Sequence, residues 1–516
     1  MCIGPTAYGV NIICWSRPGK SGLPCGPILR TLRAVSVLPA SRMNWFARRK
    51  TLKLAVILAF LVAAGIAFVS RQPDELARYK ARLAASGEEL SLIKLLPPYS
   101  KAAVEHHQQL SDAAARLVFS PISPADIGLM TKTTNGYARA AWTQSTPTTP
   151  AKGTWEDFAL QMDASKPALA ELRRLLAAPV PGNTYDPADP LKIMPKFDFI
   201  ARRKTAQTLA AAVVNELHRQ RLEAALTNLH ALIALARLHD EEGMLVHHMI
   251  HAAIAGLAIS ATWESLPAPG WTEAQLASLQ SAWQPLDLVR DFGRTVEMER
   301  AFGVVYYEVF RTNATERRDM LSSFGSGRGF TETLYENLYL PVWAKAWAEG
   351  DELRFLEQMQ PLIDGVRRDI TNANYHGLRA TFAEAMRDLK GPQTPLNRFR
   401  FRVTSMVIPN WEKAAAALLR NETQRQMALT AIALKRHQLK HGKLPADLAA
   451  LTPEFLLAPP IDHLGGRPLT YQPLSDHRFT LRSVGNNQRD DQGADDDLVW
   501  AEPDLPAGSL PSSSGQ

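Results

Sequence analysis

Residues Leu54–Val69, LAVILAFLVAAGIAFV, are sixteen consecutive positions without charge or proline. As a helix the run covers roughly 24 Å, or ~30 Å with Thr51–Lys53 and Ser70 added, about one bilayer core. Residues 1–53 hold nine Lys or Arg and no Asp or Glu, whereas Asp74 and Glu75 follow the run closely. Basic flanks stay cytoplasmic, so the pattern predicts an N-terminus inside and residues 72–516 outside, periplasmic or extracellular. An uncleaved single-pass anchor in the cytoplasmic membrane is the expectation. The competing reading is a cleaved signal peptide, for which this apolar run is at the long limit.

Nine of the chain's positive charges precede the run, so the net +7 of the whole becomes −2 for the remainder. The high pI is therefore a targeting signal, and no basic face is left to neutralise nucleic-acid phosphates. All three cysteines (Cys2, Cys14, Cys25) lie in residues 1–42, so the part beyond the run has neither disulfides nor a thiol nucleophile. Residues 1–42 are rich in Gly, Pro, Ser and Arg, and read as a disordered extension or a mis-assigned start. Met43 opens a complete signal-anchor pattern, assigned to 43–71.

Residues 72–396 are expected to be an α-helical bundle or solenoid-like ectodomain. Helices are predicted over Asp74–Ala85, Glu88–Leu96, Lys101–Leu117 and Trp155–Ala178. Three more fill Phe197–Glu264, followed by Glu273–Trp283, Leu286–Arg311, Thr331–Ala348, Glu352–Ala373 and Leu378–Leu389. Residues 120–153 carry no helical period and read as a long loop, with Trp142 placed to pack on the helices. Asn410–His441 is a long helix closed by Gly442. Beyond it the period changes to two at Pro468–Gln472, Arg478–Val484 and Leu498–Ala501, predicting three short strands; residues 503–516 read as a disordered tail.

Three constellations carry chemistry. His247, His248 and His251 include an i,i+4 pair at zinc-ligand spacing, without the glutamate of a metalloprotease motif. By helical angle His247 and His251 sit at the border of the apolar face, where a half-buried histidine is ordinary. The alternative function, a metal-dependent hydrolase of the helical domain, rests on them. Arg290, Arg294, Glu297, Glu299 and Arg300 form a charged strip read as i,i+3 and i,i+4 pairs, while His106-His107 and Arg202-Arg203-Lys204 read as solvated faces. Asn487, Asp490, Asp491, Asp495, Asp496 and Asp497 crowd one inter-strand loop. Clustered carboxylates repel without a counter-ion, and hard cations take six to eight oxygens, so the loop is either a Ca²⁺ site or a solvated acidic hairpin loop.

ALTAIALKRHQLKHGKLPADLAALTP (Ala428–Pro453), IDHLGGRPLTY (Ile461–Tyr471) and FTLRSVGNNQ…DDDLVW together resemble the globular domain of the major pseudopilins of type II secretion. The likeness spans Met427–Glu502, with Leu481, Ser483, Gly485, Asp495 and Asp497 on the family's last motif. It implies a pseudopilin-like α+β domain over 410–502, a long helix plus a three-stranded antiparallel sheet. It also implies Ca²⁺ held by Asn487, Asp495 and Asp497, Asn487 standing where the family has Asp. In that family the membrane helix is the first half of the same long helix. Here about 340 residues intervene and the prepilin-peptidase signature is absent, so assembly into a pseudopilus is not expected. The whole reads as mainly α, a membrane-anchored envelope protein with envelope protein partners and a binding or assembly role, linked to secretion or surface machinery.

Overall fold

Eight consecutive residues of the longest helix, Met427–Leu434, are buried. A helix buried all round has neighbours on every side, and this one organises the fold. The computed structural model describes residues 65, 75–118, 140–144, 153–184, 197–238, 243–323, 335–390, 394–408, 410–475, 477–494 and 496–501. All belong to one compact unit, Ala64–Gln516, and the apolar run Leu54–Val69 lies outside the described residues except for Gly65.

The chain is mainly helical with a small C-terminal antiparallel sheet. The helices are α1 (Glu75–Ala85), α2 (Leu92–Leu95), α3 (Lys101–Ala115), α4 (Trp155–Ala177), α5 (Phe199–His218), α6 (Leu222–Ala236), α7 (Leu245–Ser265) and α8 (Glu273–Trp283). They continue as α9 (Leu288–Thr312), α10 (Ala314–Ser323), α11 (Ala348–Thr371), α12 (Leu378–Lys390), α13 (Pro395–Arg400), α14 (Arg402–Val407) and α15 (Trp411–His441). Side chains start several of them. Thr154 with Asp157 and Thr272 with Gln275 form capping boxes, and Asp198, Asp287 and Asn410 each accept a first-turn N–H. Gly442 ends α15 at φ 74°, its N–H donating to Gln438 O, as its position predicts.

β3 (Thr470–Pro473), β4 (Phe479–Ser483) and β5 (Leu498–Ala501) form an antiparallel sheet in that order, with Leu481 opposite both Tyr471 and Trp500. A separate two-residue ribbon pairs β1 (Ile461–Asp462) with β2 (Arg467–Pro468), so Pro468 belongs to the ribbon and not to the sheet.

Helices α5, α6 and α7 pack on one another, α9 packs on α11, and α15 lies against α7, α8, α9 and α12. One large apolar cluster draws residues from Leu76 through Ala501, and a smaller one joins Leu92 and Leu96 to Met298, Ala301 and Phe302 on α9. Polar ties cross the same seam. Trp263 Nε1 on α7 donates to Ala501 O (2.8 Å), Gln280 Nε2 on α8 to Phe455 O (2.6 Å), and Arg379 Nη1 on α12 to Asn486 O (2.6 Å). The sheet and long helix thus share their core with the helices before them. At Gly303 on α9 an added Cβ would meet Phe355 at 2.2 Å, which fixes the close α9–α11 approach.

Two expectations about the helices differ, and one helix resembles a membrane span. Of Glu88–Leu96 only Leu92–Leu95 is helical, because the Glu88 and Glu89 carboxylates are held by Arg300, Arg367 and the Ser91 N–H. The expected gap between Ala348 and Glu352 is helical, continuing π-wound turns at Tyr335–Tyr339 and Trp343–Trp347. Finally, α7 is long and apolar enough to cross a membrane by length and composition, but 61% of that stretch is buried within the body. Its apolarity is that of a core helix.

Candidate functional site

The loop joining β4 to β5 wraps its backbone around its own carboxylates. Asn486 N and Asn487 N donate to Asp496 Oδ2 (2.6 and 3.1 Å), and Asp491 N and Gly493 N donate to Asp497 Oδ2 (both 2.9 Å). Gly485, at φ 62°, lies so close to Asp496 that an added Cβ would meet its carbonyl oxygen at 2.4 Å. Asp491, Asp496 and Asp497 each present a carboxylate oxygen within 4.8 Å of the others, the one such group of potential ligands among the described residues. Asp496 Oδ1, Asp497 Oδ1 and Asn486 Oδ1 are buried without a hydrogen-bond partner. Buried acceptors left unmatched are costly, and they are the oxygen donors a hard cation takes. Arg420 is close enough to Asp496 to feel its charge, so part of the negative field is balanced from α15.

Of the three residues singled out from sequence, Asp497 is in this group. Asn487 stands beside it, its amide engaged within the loop: Nδ2 donates to Asp491 Oδ2 (2.5 Å) and Oδ1 accepts from Arg489 N (2.8 Å). Asp495 lies outside the described residues. Asp491 and Asp496, part of the same acidic crowd in sequence, complete the group, and only the loop's fold tells them from Asp490.

The histidines of α7 do not converge. His248 Nε2 donates to Leu288 O (2.8 Å), His251 Nε2 accepts from Arg202 Nη1 (3.2 Å), and the His247 ring lies 5.0 Å from that of Phe199. All three are buried, so they are core residues and not a border. His106, His107 and Arg202 are buried as well, against the expectation of solvated faces. Desolvation, helped by Arg202, holds His107 down at about 3, so it is a neutral imidazole.

Of the charged strip of α9, Arg290 pairs at i,i+3 with Asp287 (3.5 Å), whereas its other members bond to segments distant in sequence. Arg300, 1% exposed, donates to Glu88 Oε2 (2.8 Å) and Glu89 O (3.1 Å), and Arg367 on α11 bridges Glu88 and Glu297. Burial raises the Glu88 carboxyl, but the hydrogen bonds from Arg367 and Arg300 outweigh it and hold the group at about 2. Glu299 Oε1 accepts the Leu245 N–H at the start of α7 (2.7 Å), and desolvation pushes it up to about 7. An acid whose pKa is raised on folding binds its proton more tightly when folded, so its contribution falls as pH rises from about 4.5 to about 7. Glu299→Gln keeps an acceptor for Leu245 and removes the charge. Its melting temperature should match wild type near pH 4.5 and exceed it at pH 8; equal curves at both pH values would contradict this.

Two further polar centres carry no sequence signal. Asp351, fully buried, accepts from Trp343 Nε1 (2.8 Å), Val403 N (3.1 Å), Thr404 N (3.1 Å), Thr404 Oγ1 (2.6 Å) and Tyr307 Oη (3.2 Å). Glu422 and Arg425 form a buried pair on α15 (2.6 Å). No family model, curated protein or solved structure matches the chain.

Proposed function

We propose that the chain is a membrane-anchored, extracytoplasmic envelope protein with a binding or assembly role toward other envelope proteins, linked to secretion or surface machinery. The observation that carries this is the uncharged run Leu54–Val69 behind nine basic residues, which predicts a tether with residues 72–516 outside. The test is topology. Alkaline phosphatase fused after Gln516 should be active and fractionate with membranes; an inactive phosphatase paired with a fluorescent cytoplasmic fusion would refute it.

The C-terminal part serves this role as a pseudopilin-like module whose β4–β5 loop binds Ca²⁺. The support is the oxygen set of Asp491, Asp496 and Asp497, with Asn486 Oδ1 beside it. Bound cation stabilises the folded chain by mass action. Millimolar Ca²⁺ should raise the melting temperature of the purified full chain relative to EDTA, and Asp496→Asn with Asp497→Asn should remove the increment. No shift on Ca²⁺ addition would reduce the loop to a solvated acidic turn.

A further inference from the structure

A cavity of about 820 Å³ lies between the C-terminal half of α4, the face of α6 that carries Thr227, His230, Ala234 and Arg237, and the segment Pro179–Gly182. Thr227, His230, Ala234 and Arg237 follow at spacings of three, four and three, one face of a helix. The volume is that of a small-molecule site, ~300–1,000 Å³. Its walls are apolar, built from Leu176, Val180, Ile233 and Leu238 among others.

Its charge is one-sided. Arg173 and Arg237 line the cavity, and no carboxylate does among the described residues. Arg173 makes one hydrogen bond, to Asn228 Oδ1 at 2.8 Å. Burial lowers its affinity for its own proton, and Glu216 opposes this only through space, since the ion-pair partner of Glu216 is Arg221 at 3.6 Å. The two histidines of the lining, His107 and His230, are both held below the usual imidazole range by desolvation, so the arginines supply the charge. The wall is also preformed. Asn183 N donates to Pro98 O (3.2 Å), Ser100 N donates to Asn183 O (2.9 Å), and an added Cβ at Gly182 would meet Ser100 Cβ at 2.4 Å. A fixed wall lowers the ordering cost of binding.

We propose that this cavity binds a small amphiphilic anion, its carboxylate or phosphate head on Arg173 and Arg237 and its alkyl body along Leu176, Val180, Ile233 and Leu238. The inference goes beyond the envelope reading and needs neither the anchor nor the acidic loop, so each can fail without the other. The test is calorimetric titration of the purified full chain, with protein-free sample buffer as blank, using octanoate, octyl phosphate, octan-1-ol and octylammonium. Both anions should bind, and the alcohol and the cation should bind at least ~10-fold more weakly, a difference of about 1.4 kcal/mol. Preference between the anions tells a fatty-acid-type ligand from a phospholipid-type one. Arg237→Glu, at an exposed position, should weaken octanoate ~10-fold or more, and Ala234→Trp should fill the space and abolish binding. The proposal is overturned if octan-1-ol binds as well as octanoate, if Arg237→Glu leaves affinity unchanged, if a folded Ala234→Trp still binds, or if folded wild type gives no heat with either anion.

Discussion

Asp351→Ala should destabilise the folded protein by about 3–5 kcal/mol, as large an effect as any single substitution here. The carboxylate accepts five hydrogen bonds inside the core, from the Trp343 indole, the Tyr307 and Thr404 hydroxyls and two first-turn amides of α14. Alanine leaves the Trp343 indole and the Val403 and Thr404 amides without an acceptor in a site that water does not reach, while the Thr404 hydroxyl keeps the backbone carbonyl of position 351 (2.9 Å) and the Tyr307 hydroxyl keeps Thr404 Oγ1 (2.7 Å). Each orphaned donor carries a desolvation cost of about 1–3 kcal/mol before relaxation. Asp351 also joins the π-wound turns to α14, so its loss should free α14 from α11 first. Burial pushes the carboxyl up to about 6 despite the hydrogen bonds. Asp351→Asn should therefore cost distinctly less than alanine, because it keeps one acceptor oxygen. Thermal denaturation of the two variants checks this; an alanine variant within ~0.5 kcal/mol of wild type, the usual surface range, would contradict it.

Glu422→Ala and Arg425→Ala should each cost about 3–5 kcal/mol, because each strands the other's charge. Arg425 donates from Nε and Nη2 to Glu422, and from Nη1 to Trp283 O (3.1 Å), while Glu422 Oε2 also accepts the Leu288 N–H (3.2 Å). The pair therefore clamps α15 to the α8–α9 turn. Tyr375 and His463 extend the cluster: their rings lie 4.8 Å apart, and Tyr375 Oη donates to Asp287 (3.2 Å). Replacing both by apolar residues, Glu422→Leu with Arg425→Met, should recover most of the loss, since a buried pair is worth little against well-packed hydrophobic side chains. A double variant as unstable as the sum of the singles would contradict that account of the clamp.

The helices were legible where the local code was complete. Glu273–Trp283 is bounded by a capping box and matches residue for residue, and the Gly442 cap ends α15 as expected. The strands fall within two residues of their predicted bounds, although Phe479–Ser483 is buried on both faces except at Arg482 and so does not show the alternation in its burial. What sequence could not show is which charges are interior. Arg202, Arg300, Asp351, Glu422 and Arg425 carry no local mark of burial; their partners lie up to 212 residues away, as Glu88 does from Arg300. The same holds for the acidic loop. Its composition was plain, but the choice of Asp491, Asp496 and Asp497 depends on which backbone amides fold onto which carboxylate. Glu88–Leu96 was over-read as helix for the complementary reason: tertiary partners of Glu88 outweigh local propensity.

Met427–Leu434, within the long helix, is enclosed by the body's own helices, so the C-terminal sheet and the helices before it share one core. Hydrogen exchange on the full chain tests this most directly. Amides of Met427–Leu434 and of β4 should exchange as slowly as those of α7, and Arg425→Ala should speed all three together. If β4 and the second half of α15 instead open as a faster unit while α7 stays protected, the C-terminal module is separable and the single shared core is wrong.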